Sequence, residues 1–432
     1  MVKKRIIILG AGLAGLSAAW HLQKKGIACR IFEKEPEAGG LCRSKQIGNF
    51  TFDYDGHLLH FKNRYTFSLV KSLLGENLKE HKRNALVYSF GRYTRFPFQA
   101  NLYGLPPGVV KECLLGLWEI SQKGGSKNKK NGNFLDWINN NFGKGIAKYF
   151  MTPYNAKFWT LHPRRLNCLW LDGFIPKPTF GQIIEGSIEN NQKEFGYNTK
   201  FWYPEKGGIG QLTKQWAAQI KNININSCIT GIDFERKELE INSSRKEKYD
   251  YLISTIPLPE LPKISQSLPS DIRVLFRGLR WNSIFNLNLG IENKNRNPAH
   301  WIYFPQKEIS FFRLGFFHNF SSNVAPVDKN SLYAELSYSK SKPIDRKNIV
   351  LKIKNDLVKT GIINSLDDIC LEEINDIKYG YPIYDANYVK NSEGILSYLK
   401  SKDVTPCGRY GSWHYFSMED AILDGKRAAE FF

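Results

Sequence analysis

The first thirty-three residues carry the clearest patterning. Arg5 to Leu9 is a short apolar, β-branched run, as expected of a strand buried in a parallel sheet. Leu16 to Lys24 follows helical spacing and closes at Gly26, and Ala28 to Phe32 is a second apolar strand ending in Glu33. Farther along, Val109 to Gln122 and Phe134 to Tyr149 read as helices, and the Gly-, Lys- and Asn-rich run from Gly124 to Gly132 reads as an exposed loop between them. Phe201 to Leu212, Lys248 to Ile256 and Ile284 to Leu336 are strand-rich. Alternating runs near Trp301 and Leu332 predict an antiparallel sheet. No internal repeat or heptad pattern is present, and no stretch reaches the roughly 20 consecutive apolar residues of a membrane span.

Between the first strand and helix lie Gly10, Gly12 and Gly15, spaced GxGxxG, with an acid about 20 residues beyond them. Gly10 permits the tight turn, Gly12 lets the backbone approach a pyrophosphate, and Gly15 lets the helix pack on the strand. The pyrophosphate belongs at the helix N-terminus, where free N–H groups and the dipole favour an anion. Glu33 is placed to accept hydrogen bonds from ribose hydroxyls. A lone GxGxxG is weak, but strand, helix, second strand and acid together predict a dinucleotide site. Gly39-Gly40, followed by Leu41-Cys42-Arg43-Ser44, resembles the second glycine pair and arginine of FAD enzymes of the amine oxidase and glutathione reductase type. In that resemblance Arg43 reaches the flavin or its phosphate; otherwise it is a surface arginine. Near the other end, Gly408-Arg409-Tyr410-Gly411 and Ser417-Met418-Glu419-Asp420-Ala421 lead into a helix. In such flavoenzymes a late strand, turn and helix return to the first domain and cap the flavin.

The predicted fold is α/β: a Rossmann-like FAD-binding domain of the glutathione reductase type, an inserted helical domain and an antiparallel-sheet substrate domain. The expected divisions are residues 1–90 for the first part of the FAD domain and 91–200 for the mainly helical insertion. Residues 201–260 form the second part of the FAD domain, 261–380 the antiparallel-sheet substrate domain, and 381–432 the return to the FAD domain.

Composition narrows this reading. With 432 residues, 42% apolar and 24% charged, the chain has the balance of a folded globular protein. Its seven cysteines form no CxxC pair, which speaks against a zinc site or a disulfide framework and for a reduced, cytoplasmic setting. The basic, apolar start has no small-residue cleavage site and is not read as a signal peptide. The net charge of +20 favours phosphate-bearing substrates, nucleic acid or an acidic lipid surface, or it reflects codon bias, since Asn, Ile and Lys abound. No nucleic-acid-binding motif supports the second partner, and none is expected. Peripheral membrane contact stays open, and nothing fixes the oligomeric state. Without HExxH, a Ser-His-Asp order or paired carboxylates, no metal is expected.

Several segments together resemble the UDP-galactopyranose mutases, especially the eukaryotic type, within the amine oxidase and protoporphyrinogen oxidase superfamily. Phe52-Asp53-Tyr54-Asp55-Gly56-His57 looks like that family's histidine loop, with Asp55 where the family has glycine. Arg95 to Asn101 resembles its YPFQ-x-N segment, and Phe150 to Trp159 its FM-x-PYN-x-K-x-W segment. Gly196-Tyr197-Asn198, Trp301 to Pro305, Phe311-Phe312-Arg313, Gly380-Tyr381-Pro382 and Gly408 to Tyr415 complete the set.

The resemblance implies an isomerase that interconverts pyranose and furanose forms of a nucleotide sugar without net redox change, of the kind used in polysaccharide biosynthesis. In that family reduced FAD attacks the anomeric carbon through N5, and the sugar recloses through a different hydroxyl. The partner implied is a nucleotide diphosphate sugar. The catalytic residues implied are His57, Arg313 and Arg409. Gly10, Gly12, Gly15, Glu33, Gly39, Gly40, Arg43, Gly56, Gly408 and Met418 would hold the cofactor. Gln99, Asn155, Trp159, Asn198, Trp301, Tyr303, Tyr381 and Tyr415 would meet the substrate; for the aromatics among them the alternative is a core role. The family clamps the diphosphate with two arginines. Arg313 matches one; Phe174 stands at the other's place, with Arg164 or Arg165 near enough to compensate. Phe320 stands where a tyrosine is expected. A redox flavoenzyme of the amine oxidase or protoporphyrinogen oxidase type is the alternative, and a non-enzymatic flavin-binding module a third.

Overall fold

Ile6–Leu9, buried along its whole length, is the middle strand of a five-stranded parallel sheet. The computed structural model describes residues 4–122, 132–171, 173–190, 195–196, 199–265, 267–292 and 297–432. Across the parallel sheet the strands run Val404–Pro406, Tyr251–Ser254, Ile6–Leu9, Cys29–Phe32 and Ile223–Asn224. Being covered on both faces, the central strands read as continuous apolar runs. The first helix spans Leu13–Lys24, beginning three residues before the expected Leu16 because Leu13 and Ala14 already form its first turn on Gly12 as N-cap.

The C-terminal helix Met418–Glu430 packs along this first helix. Ser17 Oγ donates to the Ile422 carbonyl at 2.6 Å, and Lys25 Nζ to the Ala429 carbonyl at 3.0 Å. The helix starts in a capping box between Ser417 and Asp420. Strand Val404–Pro406 forms one edge of the parallel sheet, so both ends of the chain build this layer.

A seven-stranded sheet stands over it. Its order is Ile369–Pro382, Trp281–Ile291, Asn330–Tyr338, Arg313–Phe316, Trp301–Tyr303, Ala85–Ser89 and Arg92–Arg95. All its pairings are antiparallel except that between Trp301–Tyr303 and Ala85–Ser89. The hairpin 85–95 lies across the expected division at residue 90, because both of its strands pair into the larger sheet.

Pro107–Gln122, Phe134–Ile146, a π-turn at Ala147–Met151, Thr152–Trp159 and Phe180–Ile188 make up the helical region. The predicted loop from Gly124 to Gly132 lies, save Gly132, outside the described residues. The strand expected over Phe201 to Leu212 is shorter. Lys200–Pro204 pairs with Leu78–Lys82, the chain turns at Gly207-Gly208, and Gly210–Ala217 is a helix that buries Leu212 and Trp216 one turn apart.

Candidate active site

The dinucleotide cradle is formed by backbone. Gly10 has φ +96°, and its N–H donates to the Phe32 carbonyl at 2.8 Å. A Cβ on Gly15 would stand 2.0 Å from the Gly10 carbonyl oxygen, so only glycine lets the helix sit this close. A Cβ on Gly12 would meet nothing nearer than Gly40 Cα at 3.9 Å, which leaves the turn open in front of a helix N-terminus that no side chain caps. Gly39 N–H donates to the Ala11 carbonyl at 2.9 Å and draws the second glycine pair across this opening. Glu33 is buried; one carboxylate oxygen accepts from Ala11 N–H at 2.7 Å and the other from Glu35 N–H at 3.0 Å. Open glycine backbone, uncapped helix N-terminus and positioned acid fit the pyrophosphate and ribose of FAD.

Arg43 is tied to the second glycine pair. Its Nε donates to the Gly40 carbonyl at 2.8 Å, its guanidinium lies 3.5 Å from Glu37, and it stacks over Tyr54 at 4.7 Å. It fixes the Gly39-Gly40 loop. Gly408, with φ +78°, is tied by its N–H to Asp424 at 2.7 Å, which anchors the Arg409 turn to the last helix.

From this cradle a cavity of about 280 Å³ opens between the two sheets and the helical region. Gly56, His57, Arg409 and Met418 line it, as do Arg313, Gln99, Asn155, Trp301, Tyr303, Tyr381 and Tyr415. Residues far apart in sequence thus converge on one cavity. Trp159 does not line it: the ring is fully buried behind the wall, against Trp170 at 4.9 Å and Tyr415 at 5.6 Å. Its place is taken by Phe158, Trp170 and Phe174, which do line the cavity. Asn198 lies outside the described residues.

The loop bearing His57 follows strand Phe50–Asp53. Asp53 anchors it, accepting from Ser44 Oγ at 2.6 Å, Tyr203 Oη at 2.7 Å and Ile209 N–H at 3.1 Å. Burial nevertheless pushes the Asp53 carboxyl up to about 7. His57 Nδ1 donates to the Asp55 carbonyl at 3.3 Å, leaving Nε2 as an acceptor. Burial, reinforced by Arg409 and then Arg313, pushes the imidazole down to about 4, so His57 is neutral at physiological pH. Burial, with Arg83 and Arg313, also takes His60, a residue not assigned a role by the sequence, down to about 4.

Arg313 is opposite Glu335 in the strand register, and its fork grips both Glu335 oxygens; the Nη2–Oε1 contact is 2.6 Å. Glu335 is fully buried, whereas about a fifth of the Arg313 side chain stays exposed on the cavity. Burial alone would lower the Arg313 pKa, but the Glu335 carboxylate outweighs it and the guanidinium stays charged. Asp55 is buried with φ +149°, a conformation that favours glycine. Burial first, then the adjacent Glu335, hold its carboxyl well above the ordinary range, so Asp55 carries its proton. A Cβ on Gly56 would collide with Tyr333 Oη at 2.0 Å, which locks the loop against the sheet.

Arg409 donates from Nε to the Phe416 carbonyl at 2.7 Å and lies over the Tyr381 ring at 5.0 Å. Burial works to lower its pKa, and Tyr410 and Tyr381 raise it further than burial lowers it. Burial also keeps Tyr303, Tyr381 and Tyr415 protonated as donors. Gln99 Nε2 is held by the Pro176 carbonyl at 2.8 Å, while its Oε1 and the Trp301 indole N–H lack partners. Such unsatisfied buried atoms on a cavity wall are ready-made ligand contacts. Glu335 and Tyr333 escaped the sequence reading; the one available signal was a single acid inside the apolar run Leu332 to Leu336. Among the described residues no group of His, Cys, Asp and Glu is placed to hold a metal, and no described helix is long and apolar enough to cross a membrane.

Comparison with known proteins gives this arrangement relatives. The family model for flavin-containing amine oxidoreductases matches residues 13–342. A crystal structure of reduced UDP-galactopyranose mutase superposes with TM-score 0.93 at 26% identity, covering 100% of this chain and 94% of the other. Hydroxysqualene dehydroxylase of Sinorhizobium fredii is 36% identical over 72 residues, 16% of this chain and 17% of that protein. Mitochondrial protoporphyrinogen oxidase of Nicotiana tabacum is 26% identical over 219 residues, 45% of this chain and 41% of the tobacco protein. The chain therefore spans less than half the length of these curated relatives.

Proposed function

The chain belongs to the flavin-containing amine oxidoreductase family, and from that premise we propose that it isomerises a nucleotide sugar between pyranose and furanose forms. It is a flavin-dependent enzyme of that superfamily, and its cofactor is FAD. The observation that carries the finer reading is the pair of half-buried arginines, Arg313 and Arg409, brought by separate elements to one aromatic cavity at the FAD cradle. The full-length likeness to a UDP-galactopyranose mutase supports it.

Bound and reduced, FAD supplies a nucleophilic nitrogen for the anomeric carbon. This chain's side chains do the rest. The exposed edge of Arg313 and the phenols of Tyr381 and Tyr415 hold the departing diphosphate by charge-assisted hydrogen bonds. Arg409, fixed by the Phe416 carbonyl, keeps a positive charge at the cofactor end of the cavity. Neutral His57 offers Nε2 to a sugar hydroxyl. Gln99 Oε1 accepts another, and Tyr303 with Trp301 gives the sugar or base an apolar face. The protonated Asp55 spares the cavity a second negative charge beside Glu335.

One observation favours the alternative, an oxidoreductase acting on a less anionic substrate. Phe174 lies at the cavity beside Tyr415, ring centroids 5.0 Å apart, where a second arginine would be expected, and Glu335 occupies the Arg313 fork. Dithionite-reduced protein given UDP-galactopyranose and a panel of other nucleotide sugars separates the two. Ring-contracted product from reduced but not oxidised protein is expected. No isomerisation of any of them, together with flavin reduction by an amine or a porphyrinogen, would overturn the proposal in favour of the alternative.

A further inference from the structure

Part of the chain's positive charge gathers outside the active site. A second cavity of about 1100 Å³ sits at the end of the seven-stranded sheet, lined by eight arginines and lysines and one acid, Asp385. It shares strand Trp281–Ile291 with the first cavity but uses the opposite face: Trp281 and Ser283 point into it, Ile284 into the first.

Half of its cations are spoken for. Lys263 and Lys378 both bind Glu260, and Arg346 binds Asp376. Arg273 donates to the carbonyls of Leu268, Pro262 and Ser265 at 3.3–3.4 Å. The other four, Arg165, Arg277, Arg280 and Lys340, have no acidic partner among the described residues. They come from three places: the turn Pro163–Arg165, the end of helix Ser270–Arg277 with the residues after it, and the turn following strand Asn330–Tyr338. All four side chains are exposed, so water solvates their charge and each is free to turn onto an anion in the groove. Three of the four are arginines, whose forks match phosphate oxygens bidentately. The floor, by contrast, is apolar: Phe276, Leu279, Ile383 and Trp281. The volume lies just above the range of about 300–1,000 Å³ usual for a small-molecule site.

We propose that this groove is a second ligand site, for a soluble organic diphosphate whose uncharged portion rests on the apolar floor and whose phosphates meet Arg165, Arg277, Arg280 and Lys340. The site is independent of the chemistry assigned to the first cavity.

The test uses FAD-loaded full-length protein and calorimetric titration with inorganic pyrophosphate and with UDP. Arg277→Ala/Arg280→Ala is expected to weaken pyrophosphate binding about 10–100-fold, the effect of losing charge-assisted contacts, with flavin content unchanged. Arg313→Met/Glu335→Leu, in the first cavity, is expected to leave this binding intact, so failure of the two sites can be told apart. A control pair of exposed cations elsewhere, Lys79→Ala/Lys111→Ala, is expected to have no effect. The proposal is overturned if wild-type protein binds neither probe at the groove, if the control pair weakens binding equally, or if only phosphatidylglycerol vesicles bind in an Arg277- and Arg280-dependent way.

Discussion

Arg313 is both a cavity residue and half of a buried ion pair, and its removal should be felt first in stability. Glu335 is fully buried and both its oxygens are engaged by the Arg313 fork. Arg313→Ala strands that carboxylate beside Asp55, at a cost of about 3–5 kcal/mol, a large share of the 5–15 kcal/mol that holds a typical domain folded. Arg313→Met/Glu335→Leu removes both charges and fills the space, and should recover most of the loss, giving a coupling of about 2–3 kcal/mol between the two sites. Urea unfolding followed by tryptophan fluorescence and by flavin release measures this, with coincident transitions as the check on two-state behaviour. The Ala deficit should shrink as pH falls, because a stranded carboxylate is relieved by a proton. With the fold preserved, the double variant then reports on the ligand: UDP affinity should fall by about 1.5–3 kcal/mol, the value of a charged hydrogen bond. A deficit below about 1 kcal/mol for Arg313→Ala, or a double variant no more stable than the single one, would refute the ion-pair argument.

His57, His60 and His300 are all pushed down to about 4, chiefly by burial, against about 6.5 when unfolded. Their contribution to stability is therefore complete above pH 6.5 and is lost as pH falls toward 4, with His57 accounting for at most about 3 kcal/mol; thermal melts of wild type and His57→Asn between pH 7.5 and 4.5 should show a shallower decline in the variant, and parallel curves would count against it. Wild-type protein should be yellow and release FAD on denaturation, whereas Gly15→Ala, whose Cβ would stand 2.0 Å from the Gly10 carbonyl, should lose most of its visible absorbance on desalting. Phe174→Arg should tighten UDP binding about tenfold or more if the cavity takes a nucleotide diphosphate; unchanged affinity by calorimetry would argue for a less anionic substrate.

The βαβ unit was legible because every part of it is local: strand, glycine turn, helix and acid lie within thirty-three residues, and each has its own composition. The resemblance carried further, since residues as distant as His57 and Tyr415 line the same cavity. What sequence did not reveal was pairing across strands. Glu335 stands opposite Arg313 only through the register of two strands, and nothing near either residue encodes that register. For Trp159 the sequence left a stacking platform and a core role open; one helical position decides that Phe158 lines the cavity and Trp159 is buried in the core. The strand expected through Leu212 failed because apolar residues one helical turn apart also satisfy a short strand-like run until the Gly207-Gly208 turn is considered.

The packing of the last helix on the first also dictates a timetable. Ser17 waits for Ile422, its partner 405 residues away, and the edge strand Val404–Pro406 joins a sheet whose middle strand is Ile6–Leu9. At about 5–20 residues per second of translation, some 20–80 seconds separate the emergence of the two helices from the ribosome. Throughout that interval the apolar face of the first helix and one edge of the parallel sheet are uncovered, and pairing at such sequence distance is slow even afterwards. The parallel layer therefore closes only after the last residues of the chain have emerged.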